Sequence, residues 1–271
     1  MFNYNDLKIK SVSSCLRNLS EQKLLSCKIK EINESPQIGD VLICRVKNLK
    51  GYNIIEDISG QEIELFINDI IIAVLGNRYS STNVFGEIPE QSIIKGDILH
   101  LLAVGGLIGL CDKDDDYKPT CVEILGFLAI DNKIINTVEF YKRNNNVLFD
   151  STINNSSIFT VCGTSAEVGK TTLIGEIIRS IKQENSSKSI VTIKICGTGR
   201  MRDKNKYIMA GSNKAYDFAD FGLPSTYGLE REQSQKNKRI IFSPKNMKTK
   251  IIGQLISNCF LMAMYQNTIV W

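Results

Sequence analysis

The sequence has little of several features that would assign a function at once. It contains one histidine, His100, which lies in an apolar run with no neighbour in sequence suited to catalysis. Its eight cysteines form no CxxC pair, which argues against a zinc site and a disulfide framework and favours free thiols in a reducing compartment. The sequence shows neither a secretory signal nor an apolar run of the roughly 20 residues that span a bilayer. We therefore expect a cytoplasmic protein that does not enter a membrane.

Length and charge bound the class of protein more loosely. The chain has 271 residues, of which 43% are apolar and 23% charged, and a formal net charge of +4. These values are typical of a soluble protein with one large or two modest domains, and the mild charge argues against nucleic acid as a partner. Basic residues do concentrate in one stretch, where they favour a small anionic substrate: Lys194, Arg200, Arg202, Lys204 and Lys206.

The first half of the sequence predicts a helical leader followed by a β-rich domain. Residues 1–38 carry leucines at roughly helical spacing, namely Leu16, Leu19, Leu24 and Leu25. Over residues 39–141, short apolar runs alternate with Gly, Asn and Ser turns, a pattern typical of a small β-barrel or sandwich. The predicted strands are Val41–Val46, Tyr52–Ile55, Ile63–Phe66, Ile70–Val74, Ile98–Val104, Leu107–Cys111 and Val122–Ile130.

An acidic stretch interrupts this domain at residues 112–116. It could hold a cation, but it lacks the glycine and the distal glutamate of a calcium loop. A solvated turn is the favoured interpretation.

The second half of the sequence predicts an α/β domain. Residues 142–157 are polar and form the predicted linker to a domain over residues 158–271. That domain begins with a strand over Ile158–Cys162, a Gly-rich loop, a helix over Thr171–Gln183 and a strand over Ser189–Cys196. Strand, helix and strand in this order form a βαβ unit, which predicts a parallel sheet.

The final segment predicts that this domain is incomplete. Apolar residues at helical spacing predict a helix over Lys248–Tyr265, and Thr268–Trp271 begins what resembles a central strand. In a nucleotide-binding domain of the expected type, such a strand ends in an acidic residue beside magnesium. We therefore expect a truncated product or a fragment of a longer protein.

The loop between the first strand and helix of the second domain carries the clearest chemical motif. It satisfies the phosphate-binding pattern GxxxxGK[ST], the Walker A motif or P-loop. Its glycines let backbone amides face phosphate oxygens, Lys170 supplies a cation to the β and γ phosphates, and Thr171 presents a hydroxyl to magnesium. We expect ATP and Mg²⁺ to bind to the residues of this loop: Gly163, Thr164, Ser165, Ala166, Glu167, Val168, Gly169, Lys170, Thr171 and Thr172.

The loop also resembles that of a known enzyme family. Its Gly-Thr-x-x-Glu-Val-Gly-Lys-Thr is similar to the P-loop of dethiobiotin synthetase, an ATP-dependent carboxylase among the P-loop NTPases. The synthetase usually has Asp-Thr where this chain has Ser165-Ala166. Its next strand ends in Lys-Pro-x-x-Ser-Gly, of which Lys194 to Gly199 has the lysine, the hydroxyl and the final glycine but not the proline. The resemblance covers Phe159 to Asp203 and extends to related bacterial proteins with a small β domain before the NTPase domain.

The resemblance implies roles for individual residues. Glu167 would contact magnesium or its water shell, although a solvated loop acid explains it equally well. Lys194 would join Lys170 and Thr198 in catalysis by stabilising a developing carboxyl phosphate, the alternative being an ordinary lysine at a strand edge. Arg200 would hold a carboxylate or phosphate of the substrate, the alternative being a surface arginine.

Two acids downstream are further candidates. Asp217 and Asp220 are three residues apart and would share a helix face, where they could hold magnesium or orient a substrate amine. The alternative is that they only stabilise the start of a short helix.

These patterns leave three functions open. The first is an ATP-dependent ligase or carboxylase that activates a small carboxylate for attack by a nucleophile or amine. The second is an NTPase switch or accessory protein that acts through a protein partner. The third is a small-molecule kinase. The clustered Arg200, Asp217 and Asp220 favour an enzyme, and a homodimer remains open.

Overall fold

The computed structural model describes most of the chain in separate stretches. The described residues are 7–19, 24, 26–31, 35–79, 84–111, 119–144, 158–163, 168–228, 259–265 and 268–270. No helix within these stretches is long and apolar enough to cross a membrane. The predicted acidic turn at 112–116 and most of the predicted linker lie outside the described residues.

Most of the described elements are strands, and the chain divides into two compact units. The first unit holds strands β1 to β12: Ile9–Val12, Lys28–Lys30, Val41–Val46, Ile54–Glu56, Glu62–Glu64, Ile70–Leu75, Arg78–Tyr79, Phe85–Glu87, Ile98–Ala103, Leu107–Cys111, Cys121–Ile130 and Lys133–Ile134. It also holds helix α1, Thr137–Asn144, and a short 3-10 helix, Ser14–Leu16. The second unit holds β13 (Ile158–Cys162), α2 (Lys170–Glu184), β14 (Ser189–Lys194), α3 (Met201–Ala210), β15 (Lys214–Asp217), β16 (Cys259–Tyr265) and β17 (Thr268–Val270).

A closed ring of strands organises the first unit. The strands pair in the order β6, β3, β11, β9 and β10, and β10 returns to pair with β6. The closing pair is parallel and joins Leu107 to Val74 and Ile108 to Leu75, whereas the other four pairs are antiparallel. A closed barrel of this kind leaves no free edge among the ring strands, so their backbone groups are paired on both sides.

The strands of the ring bury both of their faces, which explains their continuous apolar sequences. Successive side chains of a strand point to opposite faces. In β3, Leu42 and Cys44 belong to one core cluster, whereas Val41 and Ile43 belong to a second cluster formed with residues of the N-terminal segment. Alternate side chains of the same strand thus fill the barrel and anchor the segment that packs outside it.

A bulge at Gly126 keeps the long strand β11 in register with both cores. Its pairing with β3 shifts between Ile124 and Gly126, and Gly126 has a φ of +151°. Ile124 and Phe127 therefore face the same cluster although they are three residues apart, and Leu125 faces the other. A Cβ at Gly126 would lie 2.5 Å from Ile29 Cγ2, so this position requires glycine.

The predicted helical leader is wrong over the part of residues 1–38 that the structure describes. Apart from Leu24, which is helical, that part contains the strands β1 and β2, the 3-10 helix and irregular stretches. Strand β1 pairs in parallel with β6, and Leu16, Leu19 and Leu24 are buried in the second core cluster. The leucine spacing therefore reports burial in this cluster.

The second unit corrects the predicted fold class. Its sheet has the strand order β13, β16, β17, β14, β15, and the sheet is mixed. β14 is parallel to β15 and β17, but β16 is antiparallel to β13, β14 and β17. The prediction of a parallel-sheet α/β P-loop NTPase domain is therefore wrong: β16 lies beside β13 and runs against it, where that fold requires a parallel neighbour.

The predicted helix over Lys248–Tyr265 is also wrong in its described part. Residues 259–265 form strand β16, and residues 248–258 lie outside the described stretches. The apolar run in β16 fits a buried strand as well as a helix, and periodicity alone does not separate the two. Thr268–Val270 forms a strand, β17, within the segment where one was predicted.

The two units do not follow the linear order of the chain. Thr198–Arg200 and Ala219–Gly228 belong to the first unit, although helix α3 between them belongs to the second. The boundaries differ in this respect from those predicted at residues 38, 141 and 157. Three of the predicted site residues lie in these two segments.

Candidate functional site

The start of helix α2 presents the groups that the Gly-rich loop was predicted to use. Lys170 is the first residue of the helix, and Gly169 before it has a φ of +88°, which glycine adopts without strain. Among the described residues, no side chain caps this helix start. Its first backbone N–H groups therefore face the region where a phosphate would be bound, at the positive end of the helix. The residues Thr164, Ser165, Ala166 and Glu167 lie outside the described stretches.

Asp203 links the start of α2 to the end of strand β14. The Thr171 hydroxyl donates a hydrogen bond to Asp203 Oδ1 over 3.3 Å, and the Lys194 ammonium lies 2.8 Å from Asp203 Oδ2. The Lys194 and Asp203 side chains are only 9% and 13% exposed. One carboxylate thus holds together a helix N-terminus, a strand end and the first turn of α3. We call Thr171, Lys194 and Asp203 the Asp203 cluster.

The cluster keeps its charges in spite of burial. Burial opposes the charge of Lys194, but the carboxylates of Asp203 and Asp217 outweigh it and raise the pKa of Lys194 above its usual value. Burial likewise opposes the charge of Asp203, but Lys194 outweighs it and holds the Asp203 pKa below its usual value. Both groups are therefore ionised at neutral pH.

Asp217 adds a second carboxylate beside Lys194. It ends strand β15, stands opposite Lys194 in the parallel register with β14, and is fully buried. Lys194 Nζ also lies 5.8 Å from the centre of the buried Phe218 ring. The ammonium is therefore fixed by its contact with Asp203 and stabilised further by the charge of Asp217 and an aromatic face. The two carboxylates together carry more negative charge than the single ammonium offsets.

This arrangement suits a divalent cation bound together with phosphate. Within the described residues, no group of three or more His, Cys, Asp or Glu side chains is placed to hold a metal by itself. Magnesium differs from metals that need such a cage, because it takes one or two carboxylates and completes its shell with water and phosphate oxygens. The Asp203 carboxylate and the Thr171 hydroxyl are oxygen ligands of the kind that magnesium prefers, and they lie at a helix start suited to phosphate.

Two other predicted residues, Thr198 and Arg200, belong to the first unit. Thr198 pairs through its backbone with Ser225 of the same unit. Arg200 forms ion pairs with Glu56 and Glu62: its Nε lies 3.5 Å from Glu56 Oε2, and its Nη2 contacts Glu62 Oε1. Arg200 is therefore not an isolated side chain, and one of its partners, Glu56, has a side chain that is only 2% exposed.

Asp220 also has a structural partner in the first unit. It lies in a short 3-10 helix, Phe218–Phe221, and accepts a hydrogen bond from Arg17 Nε over 2.7 Å. The two side chains are 18% and 7% exposed. Asp217 and Asp220 were predicted to act as a pair on one helix face, but Asp217 ends a strand and belongs to the second unit.

The residue that sequence reasoning missed is Asp203. It is nine residues beyond Lys194, and its contact with Lys194 forms because α3 turns back over β14. One signal was present: an acid in the first turn of a helix that follows a glycine turn. That signal indicates a helix start and does not by itself identify a partner.

The comparisons with known proteins give no family. No protein-family model, no curated protein and no solved structure matches this chain. Together with the mixed sheet of the second unit, this makes the assignment to a P-loop NTPase related to dethiobiotin synthetase wrong. The loop and the Asp203 cluster therefore have to be interpreted by their own chemistry.

Proposed function

We propose that the second unit binds ATP together with Mg²⁺ at the start of helix α2. Lys170 would face the β and γ phosphates, and the Thr171 hydroxyl and Asp203 would hold the metal. The observation that carries the proposal is the Asp203 cluster, because it joins a magnesium-type oxygen pair to a helix start at which Gly169 supplies no side-chain cap.

Lys194 would act on the charge of the bound phosphates. Its ammonium is buried and held by Asp203 and Asp217. A fixed cation in a site with little water stabilises developing negative charge better than a mobile one, because it needs no reorganisation during the reaction. Magnesium bound by Asp203 would offset the charge of that carboxylate in place of Lys194.

Binding by these residues can be tested with ATP and purified full-length protein. We expect saturable ATP binding that depends on Mg²⁺, and a loss of affinity of at least about tenfold in Lys170→Ala. Lys188→Ala is the matched control, since Lys188 lies in the same unit and pairs with the exposed Glu184. The proposal fails if the unmodified protein binds no ATP in the presence of Mg²⁺, or if Lys170→Ala binds it as well as the control does.

For the chemistry that follows binding, we propose an ATP-dependent ligase-like reaction on a small carboxylate or amine. Lys194 supports this proposal, because a carboxyl phosphate that forms at the γ phosphate needs a cation beside it. We expect ATP turnover to increase when a suitable small carboxylic acid is added. Turnover that stays the same with every acid tested contradicts the proposal.

A second candidate is an ATPase that works through a protein partner. One observation favours it: Thr198, which was predicted to be catalytic, and Arg200 and Asp220, which were predicted to bind substrate, belong to the first unit. There Arg200 and Asp220 form ion pairs. In this case ATP hydrolysis would increase with a protein partner and remain unchanged with small acids.

A further inference from the structure

Tyr207 combines a buried ring with a buried hydroxyl that lies close to the Asp203 cluster. Tyr207 lies on α3 four residues after Asp203, so that both side chains project from the same face of that helix. Its ring is fully buried and packs in a cluster with Ile174, Ile178 and Ile190. The ring therefore has a clear packing role, which a phenylalanine would perform equally well.

The hydroxyl is the part of Tyr207 that lacks a packing role. Within the described residues, Tyr207 Oη is buried, and its contact with the Thr171 hydroxyl falls short of ordinary hydrogen-bond geometry. Burial foremost, and then the charge of Asp203, raises the Tyr207 pKa, while this weak hydrogen bond with Thr171 acts in the opposite direction. The phenol therefore stays protonated and is a hydrogen-bond donor beside two members of the Asp203 cluster.

Leaving such a donor poorly satisfied makes the nucleotide-free protein less stable than it could be. A buried hydroxyl loses its hydrogen bonds to water, and one poorly aligned contact replaces them only in part. Phenylalanine at the same position would avoid this penalty while filling the same space. A tyrosine here is consistent with a donor that is used in another state of the site.

We propose that Tyr207 is a positioning residue, whose hydroxyl donates a hydrogen bond to the Thr171–Asp203 pair when Mg²⁺ and the nucleotide are bound. This inference rests on the proposed function. In the present structure, Asp203 receives its hydrogen bonds from Thr171 and Lys194. Once a metal and phosphates engage these groups, a donor that is already in place keeps the two oxygen ligands oriented.

Tyr207→Phe gives opposite changes in stability and in binding if the inference is correct. Without nucleotide, the melting temperature of Tyr207→Phe should be no lower than that of the unmodified protein, and it could be a few degrees higher. With Mg²⁺, its affinity for ATP should fall about tenfold, which corresponds to one hydrogen bond to a charged group. If Tyr207 served packing alone, Tyr207→Phe would not change stability and ATP affinity in opposite directions, and no effect would depend on the metal.

The measurements are thermal unfolding, ATP binding with Mg²⁺ and with EDTA, and Mn²⁺ binding followed by electron paramagnetic resonance. Tyr216→Phe is the control, because Tyr216 alternates with Asp217 along β15 and faces the other side of the sheet. Equal Mg²⁺-dependent ATP affinities and Mn²⁺ affinities for Tyr207→Phe and the unmodified protein overturn the inference alone. Absence of ATP binding by the unmodified protein overturns the proposed function and this inference with it.

Discussion

At the scale of single residues, Lys194 and Asp203 show how burial and charge combine in the second unit. Each would be unfavourable alone in this position, because an isolated buried charge loses its hydration. Their 2.8 Å contact keeps both ionised and places an oxygen ligand beside Thr171. Removing one partner should therefore leave the other charge unpaired and should also weaken binding of Mg²⁺ and ATP.

Replacing the Asp203 carboxylate tests its place in the site. We expect Asp203→Asn to weaken Mg²⁺-dependent ATP binding at least tenfold, since an amide oxygen is a weaker ligand for magnesium and a weaker partner for Lys194. Calorimetric titration with ATP at several Mg²⁺ concentrations measures it. Glu184→Gln, on the same unit and 76% exposed, is the control. Equal affinities in the two variants would remove Asp203 from the site.

Tyr79 in the first unit offers a prediction on pH. Burial, and then its hydrogen bond and charge interaction with Glu87, raise the pKa of Tyr79 to about 12. A group whose folded pKa is raised stabilises the fold below its unfolded pKa of about 10 and loses that contribution as the pH rises through 12. Glu87→Gln should lower the Tyr79 pKa and narrow this window.

The titration is followed by tyrosinate absorption, and the curve of Tyr79→Phe is subtracted to isolate Tyr79. If Glu87→Gln leaves the Tyr79 pKa unchanged, the interaction with Glu87 is absent in solution.

At the scale of elements, strand β11 depends on one glycine to serve two cores. The bulge at Gly126 changes which side chains face the barrel, so that Ile124 and Phe127 share a cluster. Without the bulge, strict alternation would point the side chains after residue 126 to the opposite face of the strand, away from the cluster that each now joins. This is a property of one element, and it can be tested at one residue.

Gly126→Ala should destabilise the protein by about 1–3 kcal/mol, from its φ and from the close approach of Ile29. Gly96→Ala is the matched control, because Gly96 also has a positive φ, +95°, but a Cβ there would meet nothing within 4 Å. Urea unfolding of both variants separates the contact from the backbone strain. If Gly126→Ala lowers the free energy of unfolding no more than Gly96→Ala does, the Ile29 side chain can move aside without cost.

At the scale of the whole molecule, the first unit is completed by residues from the second half of the chain. Thr198–Arg200 and Ala219–Gly228 belong to it, and they supply the partners of Glu56 and Arg17. Thr137 also donates a hydrogen bond to the Gly222 carbonyl over 2.7 Å. The stability of the first unit therefore depends on residues that a linear domain boundary assigns elsewhere.

Arg200→Met should destabilise the first unit, because it leaves the buried Glu56 carboxylate without this cation. We expect a loss of about 2 kcal/mol, below the ~3–5 kcal/mol of a fully buried pair since Arg200 is 21% exposed. Adding Glu56→Gln should recover much of the loss. Lys95→Met, which breaks the exposed pair with Glu31, should change the free energy of unfolding by less than about 1 kcal/mol. Urea unfolding measures all of these, and equal losses in Arg200→Met and Lys95→Met would contradict the prediction.

The sequence by itself determined those elements whose conformation depends on neighbouring residues in the chain. Strands such as Val41–Val46 and Ile158–Cys162 begin and end where predicted, because a short β-branched run between turn residues has one favourable conformation. Helix α2 was predicted to within a residue at each end, from its apolar face and the glycine before it.

Only the tertiary structure decided which strands, helices and side chains are neighbours in space. The direction of β16 and its place next to β13 depend on pairing between residues about 100 positions apart, which no local pattern encodes. Arg200 and Asp220 pair with Glu56 and Arg17 for the same reason. Asp203 joins Lys194 and Thr171 because packing of α3 brings them together. The Gly-rich loop could be identified from its residues, whereas the carboxylate that completes the candidate site could be identified only once the chain was folded.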